Sequence, residues 1–250
     1  SSSATTALWM TCSFGSVAKR GPSRSSEDVS PLRASKTCAL AILITHLPDP
    51  DDGVLAARHT ATHPELVVVG VDGDDLRRRV ALPDAQAQVR IVTELARGRS
   101  MIVRVDRMEL SKNILRGLEG YGTFLERNPR VRGRVVHYAL AYASRRDLPE
   151  YQAYTAEVKH AAEAINERFR TRTWEPVILE LKDNYPRALA AMAVADVLLV
   201  NPVWDGMNLV AKEGPAVSRR DLVLILSRNA GAADDLADGA LVVNPFDTAE

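Results

Sequence analysis

The stretch Asp196-Val-Leu-Leu-Val-Asn-Pro-Val-Trp-Asp-Gly-Met-Asn-Leu-Val-Ala-Lys-Glu213 decides the fold, because an apolar strand leads through a glycine turn into a helix. Such a joint aims several unpaired backbone N–H groups at one point, where the helix dipole is positive. Gly206 lets a ligand approach the backbone, and the next three residues would supply the amides. The pattern fits a phosphate site, and it also fits an ordinary helix with Asp205 as its N-cap.

Downstream of Val67 the sequence alternates apolar runs with amphipathic segments. This alternation predicts an α/β fold, with a doubly wound parallel sheet covered by helices on both faces, over residues 67–250. The predicted strands lie near residues 67–71, 101–105, 135–142, 176–181, 196–200, 222–227 and 240–244, and the predicted helices near 84–97, 111–127, 147–169, 185–194, 207–218 and 229–237. Residues 1–66 are expected to be irregular or weakly structured, with 40–44 as a candidate strand.

The composition limits the classes of partner. Acidic and basic residues balance at 32 each, so no overall field attracts nucleic acid or an anionic membrane. The apolar run Cys38–Ile44 is too short to span a bilayer, and Cys12 and Cys38 lack metal-ligand spacing. These features predict a soluble, cytoplasmic protein without a metal site.

Two cations follow the predicted strand 101–105. Arg107 lies just past its end, and Lys112 would lie in the first turn of a helix that Ser111 caps. A cation is unfavourable at that position unless an anion binds nearby, so the two side chains would bracket an anion. The alternative is that both are solvated surface charges.

Several segments, taken together and in order, resemble the trehalose-6-phosphate synthases, a family of retaining glucosyltransferases. Asp205 to Glu213 is similar letter for letter to the family's DGMNLVAKE stretch. The other segments are Val105–Ile114 (VDRxDxxKGI), Tyr142–Arg145 with Tyr151 (PSR…Y), Leu224–Ser227 with Ala230–Ala233 (VLSxxAGAA), and Val243–Asp247 (VNPxD). The resemblance covers the chain from Val69 to Asp247.

The resemblance implies the donor-binding, Rossmann-like C-terminal half of a GT-B glycosyltransferase. It implies transfer of glucose from UDP-glucose or GDP-glucose to glucose 6-phosphate, without a cofactor, and it leaves a homo-oligomer open. Its implied site residues are Arg107, Lys112 and Leu209 for the diphosphate, Asp205, Gly206, Met207 and Asn208 for the sugar, Glu213 for the ribose, and Arg145 for the acceptor phosphate. Arg107, Lys112 and Asp205 are expected to act in catalysis, and Asn184 or Tyr185 is a candidate for contact with the base.

Two departures from the family pattern keep other functions open. Trp204 stands where the family commonly has arginine, and could stack on a sugar or base or simply pack; Leu110-Ser-Lys-Asn113 replaces Tyr-Thr-Lys-Gly. The second variant resembles a branch that includes validoxylamine-7′-phosphate synthases, which couple a cyclitol to an amine. A pseudo-glycosyltransferase and a non-catalytic sugar-nucleotide-binding remnant are therefore alternatives. Because residues 1–66 show no family motif, these 250 residues alone are expected to be inactive.

Two further side chains near the predicted strand 135–142 have competing interpretations. His137 has apolar neighbours on both sides, which favours a packed histidine over a catalytic one. Arg146 competes with Arg145 for the acceptor phosphate and could equally be a surface charge.

Overall fold

The structure is a computed structural model that describes residues 8–12, 38–42, 70–145 and 147–249. The chain divides into two compact units, Ser1–Asp72 and Gly73–Glu250. In the first unit, β1 (Leu8–Cys12) and β2 (Cys38–Ile42) form an antiparallel pair. The strand expected at 40–44 thus begins earlier, its last two residues lie outside the described part, and β1 was not predicted.

Within the described residues, the second unit is a six-stranded parallel sheet with helices around it. The strands are β3 (Ser100–Met108), β4 (Val135–Ala143), β5 (Val177–Glu180), β6 (Val197–Val200), β7 (Val223–Ser227) and β8 (Leu241–Val243). The helices are α1 (Gly73–Ala81), α2 (Pro83–Ala96), α3 (Ile114–Arg127), α4 (Pro149–Phe169), α5 (Tyr185–Val194), α6 (Leu209–Val217) and α7 (Ala233–Leu236). The strand order is β5-β4-β3-β6-β7-β8. This doubly wound order confirms the predicted fold class.

These strands are apolar in sequence because both faces of the sheet are buried. The first seven residues of β4 are all buried, as the central strands of a parallel sheet require. Helix α3 packs on α4, and it buries Ile114, Leu118, Tyr121 and Leu125 at helical spacing. Helices α1, α2, α5 and α6 form a second group of mutual contacts.

Helix α3 begins three residues later than predicted. Ser111 does not cap a helix; Leu110–Lys112 is a 3-10 turn, and α3 begins at Ile114 after Asn113, whose φ is 60°. The Tyr154 hydroxyl accepts a hydrogen bond from the Ile114 N–H at 2.9 Å and so supplies the missing cap from α4. Lys112 therefore lies outside the helix.

The prediction that α6 starts at residue 207 was also wrong. Asn208 has a φ of 53°, and its side chain accepts a hydrogen bond from the Ala211 N–H at 3.2 Å. Asn208 is therefore the N-cap, in place of Asp205, and the helix begins at Leu209.

The elements predicted near the start of the second unit also differ from those in the structure. Helix α1 was not predicted, because its exposed face is dominated by Asp and Arg side chains and only Leu76 and Val80 are buried. Of the strand expected at 67–71, residues 67–69 lie outside the described part and residues 70–71 are not in a strand. No helix among the described residues is long and apolar enough to cross a membrane.

Candidate active site

A cavity of about 330 Å³ lies at the carboxyl ends of β3 and β4, where α6 begins. Strands β3 and β6 are neighbours from which the chain winds in opposite directions, so the cavity lies at the switch point where open α/β sheets bind ligands. Its walls are Val105, Asp106, Arg107, Lys112, Leu140, Tyr142, Lys182, Asp183, Asn184, Tyr185, Ala188, Met192, Asn208, Leu209, Val210 and Glu213.

The fold brings most of the predicted site residues to this cavity. Arg107 and Lys112 reach it from the β3 end, whereas Asn208, Leu209 and Glu213 reach it from α6. These two segments are about a hundred residues apart in the sequence, and adjacent parallel strands align them. Asn184 and Tyr185, the candidates for the base, line the opposite wall.

Lys112 is paired across the site. Its Nζ lies 2.5 Å from Oδ2 of Asp205, and both side chains are largely buried. Asn208 Nδ2 donates to the same carboxylate oxygen at 3.0 Å. Asp205 therefore does not line the cavity itself; it holds the lysine and the N-cap of α6 at the cavity edge.

Arg107 is held differently. Its guanidinium forms an ion pair with Glu109 at 3.1 Å, and 53% of its side chain is exposed. Glu109 is 13% exposed and also accepts a hydrogen bond from the Ser144 hydroxyl at 3.2 Å. Arg107 thus projects into solvent at the mouth of the cavity, with one carboxylate to orient it.

A buried charge pair under the cavity was not predicted from the sequence. Arg104 is fully buried, lies 3.3 Å from Asp106, and donates from Nη1 to the Lys112 carbonyl at 2.9 Å. It therefore ties the turn that carries Lys112 to the end of β3. Burial raises the pKa of the Asp106 carboxyl to about 6, even though Arg104 and Lys112 lower it. An arginine inside an apolar strand was the available signal.

The glycine turn rests on the loop after β7. The Asp205 N–H donates to Asn229 O at 3.2 Å, and the Gly231 N–H donates to Asp205 O at 2.9 Å. A Cβ on Gly231 would lie 2.0 Å from the Gly206 carbonyl oxygen. Gly206 and Met207 belong to this turn beside the cavity and do not line it.

Helix α6 offers both amides and a carboxylate. The first-turn N–H groups of Leu209 and Val210 have no acceptor within the helix, and both residues line the cavity. Glu213, one turn further on, makes no side-chain hydrogen bond or ion pair among the described residues. Burial raises the pKa of its carboxyl. An unpartnered carboxylate facing a cavity suits ligand hydroxyl groups as donors.

Three residues with predicted functional or packing roles, Arg145, His137 and Trp204, do not line the cavity. Arg145 is exposed, has a φ of 46°, and donates to the Tyr151 hydroxyl at 3.0 Å. His137 is buried against Tyr121, as expected, and burial together with the Arg104 charge lowers its pKa to about 3. Trp204 is 69% exposed, so it does not serve as a packing residue within the second unit, and Arg146 lies outside the described residues.

The family is settled by a sequence match that spans most of the chain. Residues 42–250 match the model of glycosyltransferase family 20. The chain belongs to glycosyltransferase family 20. The match begins 25 residues before position 67, the start expected from the strand–helix alternation, since 67 − 42 = 25.

Named relatives of this family 20 chain are trehalose-phosphate synthases. It is 37% identical over 184 residues to the UDP-forming α,α-trehalose-phosphate synthase 1 of Arabidopsis thaliana, covering 73% of this chain and 20% of the relative. It is 36% identical to a trehalose-6-phosphate synthase of Sodalis glossinidius, covering 82% of this chain and 44% of the relative. The chain thus spans less than half the length of either protein.

Solved structures agree with the sequence relatives. The family 20 chain matches the UDP-forming synthase of Burkholderia xenovorans in complex with glucose 6-phosphate with a TM-score of 0.69 and 32% identity. The alignment covers 72% of this chain and 40% of that one. An E. coli structure bound with UDP-2-fluoro glucose matches with a TM-score of 0.67 and 31% identity, over 72% and 40% of the two chains.

Proposed function

We propose that the cavity binds a nucleotide-activated glucose, and that the protein is a retaining glucosyltransferase that makes trehalose 6-phosphate. The observation that carries this proposal is that the cations Arg107 and Lys112, the first-turn N–H groups of α6 and the unpartnered Glu213 carboxylate meet around one cavity. Cations and helix N-termini stabilise phosphates, and a carboxylate accepts hydrogen bonds from hydroxyl groups. A nucleotide diphosphate sugar carries both the phosphates and the hydroxyl groups that these protein groups would bind.

The diphosphate is assigned to the Arg107 and Lys112 side chains and the Leu209 amide. As the bond from glucose to the diphosphate breaks, negative charge develops on the leaving phosphate oxygen. Donors already fixed in place stabilise this charge without reorganisation. Arg104 contributes indirectly, because its hydrogen bond to the Lys112 carbonyl fixes the turn that carries the lysine.

The glucose is assigned to the turn Asp205–Asn208 beside the diphosphate. Binding of the donor then draws Lys112 toward the phosphates, which loosens its ion pair with Asp205 and leaves that carboxylate available to sugar hydroxyls. In a retaining transfer the acceptor hydroxyl attacks from the face that the diphosphate leaves. The departing phosphate oxygen is then positioned to take up the acceptor's proton.

Glucose 6-phosphate is the proposed acceptor, with its phosphate assigned to Arg145. The complex of the Burkholderia xenovorans synthase with glucose 6-phosphate supports this choice over a cyclitol amine phosphate. Arg145 lies past the carboxyl end of β4, on the same edge of the sheet as the cavity. The left-handed backbone at Arg145 turns the chain there, and Tyr151 orients the guanidinium.

UDP-glucose is the proposed donor, because the named Arabidopsis and Burkholderia relatives are UDP-forming. In a calorimetric titration we expect one equivalent of UDP-glucose to bind the chain more tightly than GDP-glucose. Binding of neither nucleotide sugar would refute the proposed function.

Glu213→Gln is expected to weaken UDP binding about five-fold, since a hydrogen bond to a charged acceptor exceeds one to a neutral acceptor by about 1 kcal/mol. The loss should be smaller for 2′-deoxy-UDP, which has one ribose hydroxyl fewer to donate. Titrations of both ligands measure the difference. Glu119→Gln, an exposed change on α3, is the matched control. Equal losses for both ligands would show that Glu213 only supports the helix.

A further inference from the structure

A second cavity, of about 490 Å³, lies at the opposite end of the sheet from the donor cavity. It is formed by the last turns of α2, the amino ends of β4 and β5, and the turn at 170–175 that precedes β5. Strand β4 has nine residues, so a distance of about 25–30 Å separates its two ends. This cavity is therefore independent of the donor site.

Arginines dominate the polar part of the second cavity. Its lining includes four arginines and two glutamates, namely Arg97, Arg99, Arg170, Arg172, Glu94 and Glu175. Arg170 also forms an ion pair with Glu163 at 3.4 Å, outside the lining, so the other three arginines are the cations that this cavity offers to an anion. Clustered like charges repel one another, and an anion that binds among them removes the repulsion.

Arg99 is fixed in place. Its Nε donates to the Gly133 carbonyl at 3.0 Å, and its Nη2 donates to the Thr173 carbonyl at 2.7 Å. Neither acceptor is a carboxylate, so no ion pair among the described residues offsets the guanidinium charge at the cavity wall. A rigid, uncompensated arginine is already organised to bind an anion.

Arg97 and Arg172 complete the cluster from either side. Neither side chain has an ion pair or hydrogen bond among the described residues, although both line the cavity. Arg97 follows the last turn of α2 and has a φ of 48°, which lies in the left-handed region that favours glycine. An arginine therefore stands at a helix end where the backbone conformation would suit a glycine better.

The remaining wall is apolar. Ile91, Leu95, Val136, Trp174 and Ile178 form it, and the buried Trp174 indole is fixed by donation to the Val135 carbonyl at 2.7 Å. Pockets of several hundred Å³ with an apolar wall and a few convergent polar groups are typical of small-molecule sites. The lining matches a ligand with an anionic group and a compact organic body.

We propose that this cavity is a second anion site, for a small metabolite that carries a phosphate or diphosphate group. Arg97, Arg99 and Arg172 hold the phosphate oxygens, and the wall around Trp174 holds the rest of the molecule. The site lies at the opposite end of the sheet from the donor cavity, so its occupancy can be measured separately from donor binding. The proposal does not depend on the proposed function.

Equilibrium dialysis with radiolabelled pyrophosphate tests the proposal in the intact chain. An ionic strength of about 0.15 M, where the Debye length is about 8 Å, suppresses diffuse attraction. We expect two bound equivalents, one in each cavity. Arg97→Ala/Arg172→Ala should weaken the second site at least ten-fold, whereas Arg90→Ala/Arg130→Ala, which removes two exposed arginines outside the cavity, should leave both sites intact.

Two results would overturn the proposal. One is full retention of bound pyrophosphate by Arg97→Ala/Arg172→Ala, whether the unmodified chain binds one equivalent or two; the other is an equal loss in both arginine pairs. Lys112→Ala should remove the other equivalent, so failure of the donor site appears in a different variant.

Circular dichroism checks folding, and single Arg97→Gln and Arg172→Gln changes replace the double variant if it unfolds. Competition by inorganic phosphate and by a hexose 6-phosphate then shows which group the site selects.

Discussion

Lys112→Ala is expected to weaken UDP binding by about a hundred-fold, a larger loss than Arg107→Ala should cause. The change removes a charge-assisted contact worth about 1.5–3 kcal/mol. It also leaves the Asp205 carboxylate, now without its cation, beside the diphosphate. Arg107→Ala should cost less, about ten-fold, because that side chain is half exposed and solvent screens its charge. Calorimetric titration with UDP measures both losses.

A double variant separates the two parts of the Lys112 effect. Lys112→Ala/Asp205→Asn removes the cation and the stranded carboxylate together, so it should bind UDP several-fold more tightly than Lys112→Ala alone. UDP lacks the glucose, which keeps any sugar contact of Asp205 out of the comparison. Lys159→Ala removes an exposed lysine of α4 and serves as the control. Unchanged UDP affinity in Lys112→Ala would show that Lys112 does not bind the diphosphate.

Gly231→Ala is expected to disrupt the site without touching a cavity residue. The added methyl group would lie 2.0 Å from the Gly206 carbonyl oxygen and 2.9 Å from its carbon. Both are backbone atoms, so the turn from Asp205 to Asn208 must move. Overpacking of this kind typically costs about 1–3 kcal/mol in the free energy of unfolding. UDP-glucose affinity should fall by at least about ten-fold, because sub-ångström placement of the donors is lost.

Gly239→Ala is the matched control, since no heavy atom lies within 4 Å of its added Cβ. Thermal unfolding should show a shift of about 2–4 °C per kcal/mol for a unit of this size. An unshifted midpoint and unchanged UDP-glucose affinity in Gly231→Ala would mean that the loop after β7 does not support the glycine turn.

The sequence predicted the elements whose signal is local. The helix expected at 185–194 is α5 within the same bounds, because an alanine-rich apolar run follows the Asn184 cap. The strands from 101 to 244 were each placed within about three residues. Long apolar runs buried on both faces carry this information in the chain itself.

The errors came from contacts between distant segments and from one residue with an unusual backbone conformation. Tyr154, about forty residues downstream, caps α3, and this contact decides that Lys112 lies in a 3-10 turn. Asn208 in a left-handed conformation moved the start of α6, which propensity alone does not indicate. The far wall of the donor cavity, which includes Tyr142 and Tyr185, and the burial of the Arg104–Asp106 pair under the cavity follow from the order of the strands, which a single sequence does not specify.

In the proposed function, one cavity at the β3–β6 switch point holds a nucleotide-activated glucose. The decisive experiment is a crystal structure of the chain with UDP-2-fluoro glucose. We expect a diphosphate between Arg107, Lys112 and the Leu209 amide, with the ribose hydroxyls on Glu213. A diphosphate bound elsewhere, or a cavity without ligand at a concentration that saturates binding in solution, would contradict it.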